Sequence, residues 1–436
     1  MRGTLPGENR RPGSLRPTLV GVEALPGPSK TSVRRAPGDE GRGSLAQAGT
    51  LVAATLTLLN LVGYVLAVLA ARALRPTAFG ELNAYFGVLF VASLPGLAIQ
   101  AVAARSMARR PGDDALGARE RVLLTRSARA GAGVTVLLSA LAPLVAQFLH
   151  TGVSGPLWLA VQVAPYIVMS AAIGILQGLE RFAAVAAIMG VQALGKVLGV
   201  IPLLTGGSPA AVLAFLTVGA AAAAVVAVLL ARPARHAPTG SLTGLPTLRE
   251  TLAAGGALCA LLVLANLDLL LARHLLTGHE SGRYSAGAVV AKAAFWLPQA
   301  VAVVVFPRLS HPTEGRALLR QAALIVAGLG MLEAIGSALL AGPVLEFTFG
   351  QQYRSLAGLA PLWVAQGTAL ALVQLVVYRA IATKEVVTSR LVAVAAAVEA
   401  VTLLVIGPTT ITPVLVTATL TAVALAGTLL QRSHQR

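Results

Sequence analysis

Between Leu45 and Leu430 the chain runs as twelve apolar stretches, and about two hundred residues in, the pattern begins again. Each stretch reaches the ~20 residues needed to cross ~30 Å of hydrocarbon. The stretches are continuously apolar rather than alternating, which selects helices over a barrel, because only helices and closed barrels satisfy every backbone polar group in lipid. The spacing predicts spans at 46–74, 79–103, 128–149, 156–179, 183–204, 209–231, 251–275, 284–306, 319–341, 355–379, 386–407 and 410–430. Pro95, Pro165 and Pro298 fall inside spans, where proline marks kinks.

Composition agrees. Of 436 residues 56% are hydrophobic and 12% charged, against about 25% charged in soluble domains. The net charge of +17 would suit nucleic acid, but the basic residues sit in loops between apolar spans, so no nucleic-acid partner is expected. With the N-terminus placed in the cytoplasm, 27 of the 34 Lys and Arg fall in cytoplasmic segments. The outer loops hold five, Arg72, Arg75, Arg273, Arg283 and Arg354, while Lys196 and Lys292 lie within spans. The positive-inside rule demands such a split of a correct even-span layout. A multi-pass plasma-membrane protein with both termini cytoplasmic is expected.

Four segments follow. Residues 1–44 are rich in Pro, Gly and Arg without apolar periodicity, so a disordered basic cytoplasmic tail is expected, with no evident signal peptide. Residues 45–231 form a first six-helix bundle, 232–249 a cytoplasmic linker and 250–436 a second bundle. The halves match residue by residue. Arg72 pairs with Arg273 and Phe148 with Phe349 at 201 positions, and Gly80 with Gly282 at 202. Pro95 pairs with Pro298, Arg105 with Arg308 and Arg181 with Lys384 at 203. Six spans separate the copies, so both have the same orientation and are related by an axis along the membrane normal. The expected fold is an all-α integral membrane protein of 12 transmembrane helices, in two parallel-repeat six-helix bundles around a central cleft.

The junction Arg72-Ala73-Leu74-Arg75-Pro76-Thr77-Ala78-Phe79-Gly80 resembles the first hairpin of bacterial polysaccharide-export flippases. Leu176-Gln177-Gly178-Leu179-Glu180-Arg181-Phe182 resembles their junction between spans 4 and 5. Gly282-Arg283-Tyr284-Ser285-Ala286 and Phe306-Pro307-Arg308-Leu309-Ser310 are similar to the ends of their eighth span, and Phe349-Gly350-Gln351-Gln352-Tyr353 to the loop before their tenth. The resemblance covers residues 45 to about 385. It is to the oligosaccharidyl-lipid branch of the multidrug/oligosaccharidyl-lipid/polysaccharide (MOP) exporter superfamily, with its MATE-like fold. It implies a non-enzymatic flippase that turns an undecaprenyl-pyrophosphate-linked oligosaccharide from the inner to the outer leaflet for cell-envelope polysaccharide synthesis, by alternating access. The implied partners are the lipid-linked glycan, membrane lipids, and glycosyltransferases or a polymerase of the same pathway.

Five ionisable residues lie well inside spans: Lys196, Asp268, Lys292, Glu333 and Glu399. A charge at mid-bilayer costs ~2.5–3.5 kcal/mol on insertion scales, which makes each a functional candidate. Gln192 and Lys196 share one helix face, as do Lys292, Trp296 and Gln299. Lysine with amide and indole groups suits a phosphosugar. Arg72 and Arg273 are candidates for receiving the diphosphate at the outer ends of spans 1 and 7; the alternative is an ordinary interfacial anchor. Asp268 with Asn266, and Glu399 with Thr402, offer oxygen ligands for Na⁺ or H⁺ coupling. Internal pairing with the lysines, or a protonated acid, is the alternative. No bound cofactor and no metal site are expected: Cys259 is alone, the six histidines are scattered, and Asp113-Asp114 reads as a solvated loop.

Three rivals remain. A drug/cation antiporter of the same fold would place acids in the first bundle, whose mid-membrane stretches have none. A major-facilitator transporter would carry an Asp-Arg-x-Gly-Arg-like signature where this chain has Arg105-Ser106-Met107-Ala108-Arg109. A membrane glycosyltransferase needs a carboxylate or metal cluster beside a sizeable aqueous loop. No Walker-type loop is present to bind ATP.

Overall fold

The computed structural model describes residues 39–108, 113–232, 248–296, 314–383 and 385–435. Residues 1–46 form one unit, whose described part is the start of the first helix, and residues 47–436 form another. In chain order the helices are α1 (Asp39–Ala73), α2 (Pro76–Ala92), α3 (Leu94–Ala108), α4 (Asp113–Leu149), α5 (Ser154–Gly178), α6 (Phe182–Val197), α7 (Val200–Leu204) and α8 (Pro209–Leu230). The second half has α9 (Leu248–Leu275), α10 (Gly278–Trp296), α11 (Glu314–Phe349), α12 (Ala360–Thr383), α13 (Val387–Ile406) and α14 (Ile411–Gln435), with a 3-10 segment, Gln351–Leu359, leading into α12. Among the described residues eleven helical stretches are long and apolar enough to cross a membrane. Helix α10, the start of the eighth span, runs to the edge of a described segment, so Pro298 and Gln299 lie outside it, as do the tail and most of the linker.

Two spans expected as single helices are broken. The second divides into α2 and α3 at Ser93, because Pro95 falls in the first turn of α3 and cannot donate to the preceding turn. The fifth divides into α6 and α7 at Leu198–Gly199, directly after Lys196. Pro165 sits within an unbroken α5. Asp113 and Asp114, expected in a loop, open α4.

In the first half α5 packs against α3, α4 and α8, and α6 lies along α8. In the second, α12 packs against α10, α11 and α14, and α13 against α9. Helix α2 joins the halves by packing on α9 and α10. At that seam a Cβ on Gly80 would lie 2.8 Å from the Gly282 nitrogen, and one on Gly282 would collide with the Pro76 carbonyl. Gly80 and Gly282 are equivalent in the repeat, so the contact places the pseudo-twofold axis between α2 and α10, and only glycine lets the backbones approach there.

Candidate functional site

Two cavities flank α2, and the Phe90 ring lines both. The first, about 320 Å³, lies in the first half. Helix α6 brings Lys196 and Gln192 to it from successive turns, and α5 brings Gln162 and Tyr166 in the same way. Ser93, at the α2–α3 break, and the Phe86 ring complete its polar and aromatic wall. Gly195 and Gly219 let α6 and α8 touch backbone to backbone, which sets the turn that carries Lys196. Among the described residues the Lys196 ammonium makes one hydrogen bond, to the Leu59 carbonyl of α1 at 3.3 Å. Among the described residues no carboxylate lines this cavity. An ammonium has three donors, so two stay available to a ligand.

The second cavity, in the second half, holds only about 60 Å³ and is far more internally bonded. Lys292 donates to Asn266 Oδ1 at 3.0 Å. Asp268, 4% exposed, accepts from the Tyr284 hydroxyl at 2.7 Å and from Gln366 Nε2 at 2.8 Å through the same oxygen. Trp296 lines the cavity and meets Phe295 edge-on at 4.8 Å. Glu399 is 2% exposed on α13, which packs on the helix of Asp268; its Oε1 has no hydrogen-bond partner among the described residues.

The expected residues therefore regroup. Lys196 and Gln192 share a cavity, but Lys292 and Trp296 occupy a different one, together with Asn266 and Asp268 from the expected ion-coupling set. Asn266 serves Lys292. Thr402 is half-buried and lines neither cavity. Gln162, Tyr166, Tyr284 and Gln366 were not singled out. The Gln162/Tyr166 pair carried a signal, since two polar residues four apart share a helix face in an otherwise apolar span.

Arg72 and Arg273 line neither cavity but tie the seam. Arg72 donates to the Thr348 carbonyl at 2.9 Å and to that of Phe347, at the C-terminal end of α11. Arg273, 5% exposed, donates to the carbonyls of Leu149 at 2.8 Å and His150 at 3.2 Å, at the end of α4, and to Ser281 Oγ at 3.1 Å. Each arginine thus caps the third span of the opposite half, where unpaired carbonyls and the negative dipole end favour a cation. Phe148, His274 and His150 stack in sequence across the same seam.

A family model described as polysaccharide biosynthesis protein matches residues 46–312. The chain belongs to that family. Curated proteins provide no significant match. Among solved structures, an inward-facing multidrug resistance MATE transporter of the MOP superfamily superposes with a TM-score of 0.68 at 13% identity, covering 87% of this chain and 94% of its own. The lipid II flippase MurJ in an inward closed conformation gives 0.67 at 11% identity, covering 89% and 88%. An outward-facing MATE transporter gives 0.59 at 15% identity, covering 90% and 96%. These likenesses bear out the MATE-like fold read from the sequence motifs. The protein is a multi-pass membrane protein of the polysaccharide biosynthesis family.

Proposed function

We propose that the protein flips an undecaprenyl-pyrophosphate-linked oligosaccharide across the bacterial inner membrane, with both termini cytoplasmic and the short loops outside. The observation that carries the reading is the Lys196 cavity: a mid-membrane ammonium with spare donors, faced by amides, a tyrosine and phenylalanine rings, with no acid to neutralise it. A diphosphate crossing hydrocarbon needs a fixed cation, and a glycan needs amide and ring surfaces. A cationic drug needs the opposite charge in the same place, which disfavours an antiporter.

The lipid tail must remain in the bilayer while the head group crosses. Helix α1 supplies a side opening. Only 6% of its apolar window is buried, yet Gly63 and Leu66 line the Lys196 cavity, so a thin wall separates that cavity from lipid. The ties through Arg72, Arg273 and the Gly80–Gly282 contact close the outer ends of the halves, leaving loading to the cytoplasmic side. Rocking about the seam then exposes the site outward. Asp268 and Glu399 are the coupling pair, carrying Na⁺ or H⁺. Glycosyltransferases or a polymerase of the pathway supply and consume the substrate.

The test is transbilayer movement of a labelled undecaprenyl-pyrophosphate-linked oligosaccharide in proteoliposomes. Flipping by the native chain and about a hundredfold less by Lys196→Gln supports the reading. Efflux of lipophilic cations, with no flipping, overturns it in favour of the antiporter.

A further inference from the structure

A third cavity, about 370 Å³, opens at the basic-loop end of the second half, between α12, α13 and α14. Arg379 and Arg432 line it with the hydroxyl residues Thr383, Thr388 and Ser433 and the acid Glu385, over a floor of Val376, Ala380 and Leu429. Arg432 Nε is buried there without a hydrogen-bond partner among the described residues. Arg379 donates to the Ser433 carbonyl at 3.5 Å, which holds its guanidinium against the end of α14. The 20-residue helix α13 starts at the same place with no side-chain cap on its first turn, so its N-terminal dipole adds positive potential. Segments 379–390 and 432–436 together carry five Lys and Arg against one acid.

The first half keeps part of this arrangement, because Arg181 donates to the Leu230 carbonyl at 3.0 Å as Arg379 does to that of Ser433, but leucines stand at the positions of both cavity arginines. At the 203-residue offset Arg379 falls on Leu176, which is fully buried, and Arg432 falls within Val228–Leu230. There an apolar cluster of Met107, Leu123, Ile175 and Ala227 packs around Leu176. A duplicated scaffold with leucines at these positions in one copy and cavity-lining arginines in the other points to a ligand rather than to the demands of the fold.

We infer that this cavity binds the phosphate of an anionic ligand at the cytoplasmic membrane interface, with Arg432 and Arg379 as cations and the first turn of α13 as backbone donor. Two sources share that chemistry, an anionic phospholipid head group and a free phosphate or pyrophosphate. The depth of the cavity at the ends of three spans makes both reachable. Glu385 limits the affinity, and its carboxylate favours ligands of low charge.

The experiment uses the full chain in neutral detergent. Its melting temperature and native mass spectrum are followed as phosphatidylglycerol, phosphatidylcholine, inorganic phosphate or pyrophosphate is added. Phosphatidylglycerol raises the melting temperature and stays bound, whereas phosphatidylcholine does not. A response to phosphatidylglycerol alone assigns the lipid, and one also to phosphate or pyrophosphate assigns the bare anion. Arg432→Gln weakens the response about tenfold, in line with loss of a charge-assisted hydrogen bond, and Glu385→Gln strengthens it. Lys196→Gln retains it, which separates this site from the transport cavity. Equal response to the two phospholipids together with none to either anion overturns the inference, as does an unchanged response in Arg432→Gln.

Discussion

The two halves of the molecule share a scaffold and differ in what they hold at its centre. At the offset that pairs Arg181 with Lys384, Lys196 of the first half corresponds to Glu399 of the second. Close to the same offsets, Asp268 falls on Ala67, Tyr284 on Leu82 and Lys292 on Leu89 or Phe90. The first half therefore holds one underused cation beside neutral amides and a tyrosine in a roomy cavity. The second is crowded with mutually bonded polar groups around a space of about 60 Å³. An open cavity with spare donors suits a large anionic head group. A tight network with two buried acids suits a small cation. On the proposed reading, duplication supplied the hinge symmetry, and divergence at equivalent positions separated substrate from coupling chemistry.

The strongest challenge to that division is to give the first half the charge of the second. Lys196→Glu places a carboxylate where Glu399 sits in the repeat, and flipping should fall below detection. Lys196→Gln should lose about a hundredfold, the equivalent of a charge-assisted hydrogen bond worth about 3 kcal/mol. Lys196→Arg should retain part of the rate. Initial rates in proteoliposomes check the series, and near-native flipping by Lys196→Glu would end the assignment of the head group to this cavity.

Next in size is the converse change. Asp268→Asn and Glu399→Gln keep the packing of the second half and remove its buried acids. Each should reduce flipping under an imposed ion gradient about tenfold and leave gradient-free exchange nearly unchanged. A change of similar size with and without a gradient would show that the acids serve folding alone. Asp268→Ala goes further, because it strands the Tyr284 hydroxyl and Gln366 Nε2 as buried donors. A loss of about 1–3 kcal/mol of stability is expected, visible as a lowered melting temperature that Asp268→Asn largely avoids.

Sequence made the membrane fold legible because lipid leaves the backbone only one economical choice, and the repeat was legible because residues such as Arg72 and Arg273 keep their spacing. The site was less so. Lys196 and Lys292 look alike as isolated intramembrane cations, and nothing in one chain says that Asn266 meets Lys292 while no acid meets Lys196. Those facts depend on the rotation of α6 and α10 about their axes, which the close contacts at Gly195–Gly219 and Gly80–Gly282 set. The partition of the two lysines by Phe90 is equally tertiary, since it follows from α2 standing between the halves.

The smallest effect, and the finest test of symmetry, lies at the seam. Arg273 is buried and reaches several acceptors, whereas Arg72 is more exposed and reaches two carbonyls. A hydrogen bond to an exposed charge is worth less than one in a dry site. Arg273→Gln should thus loosen the seam by roughly 1–2 kcal/mol, and Arg72→Gln by roughly half as much. Hydrogen exchange provides the measure, because local opening frees the amides behind these caps. Thr151, whose N–H is bonded to the Ala146 carbonyl at 2.9 Å, reports on Arg273; Gly350, bonded to Glu346 at 3.0 Å, reports on Arg72. Faster exchange at both amides in either single variant would mean that the seam opens as one rigid unit. Faster exchange only beside the altered arginine would mean two independent latches, each half able to release its own edge before the other.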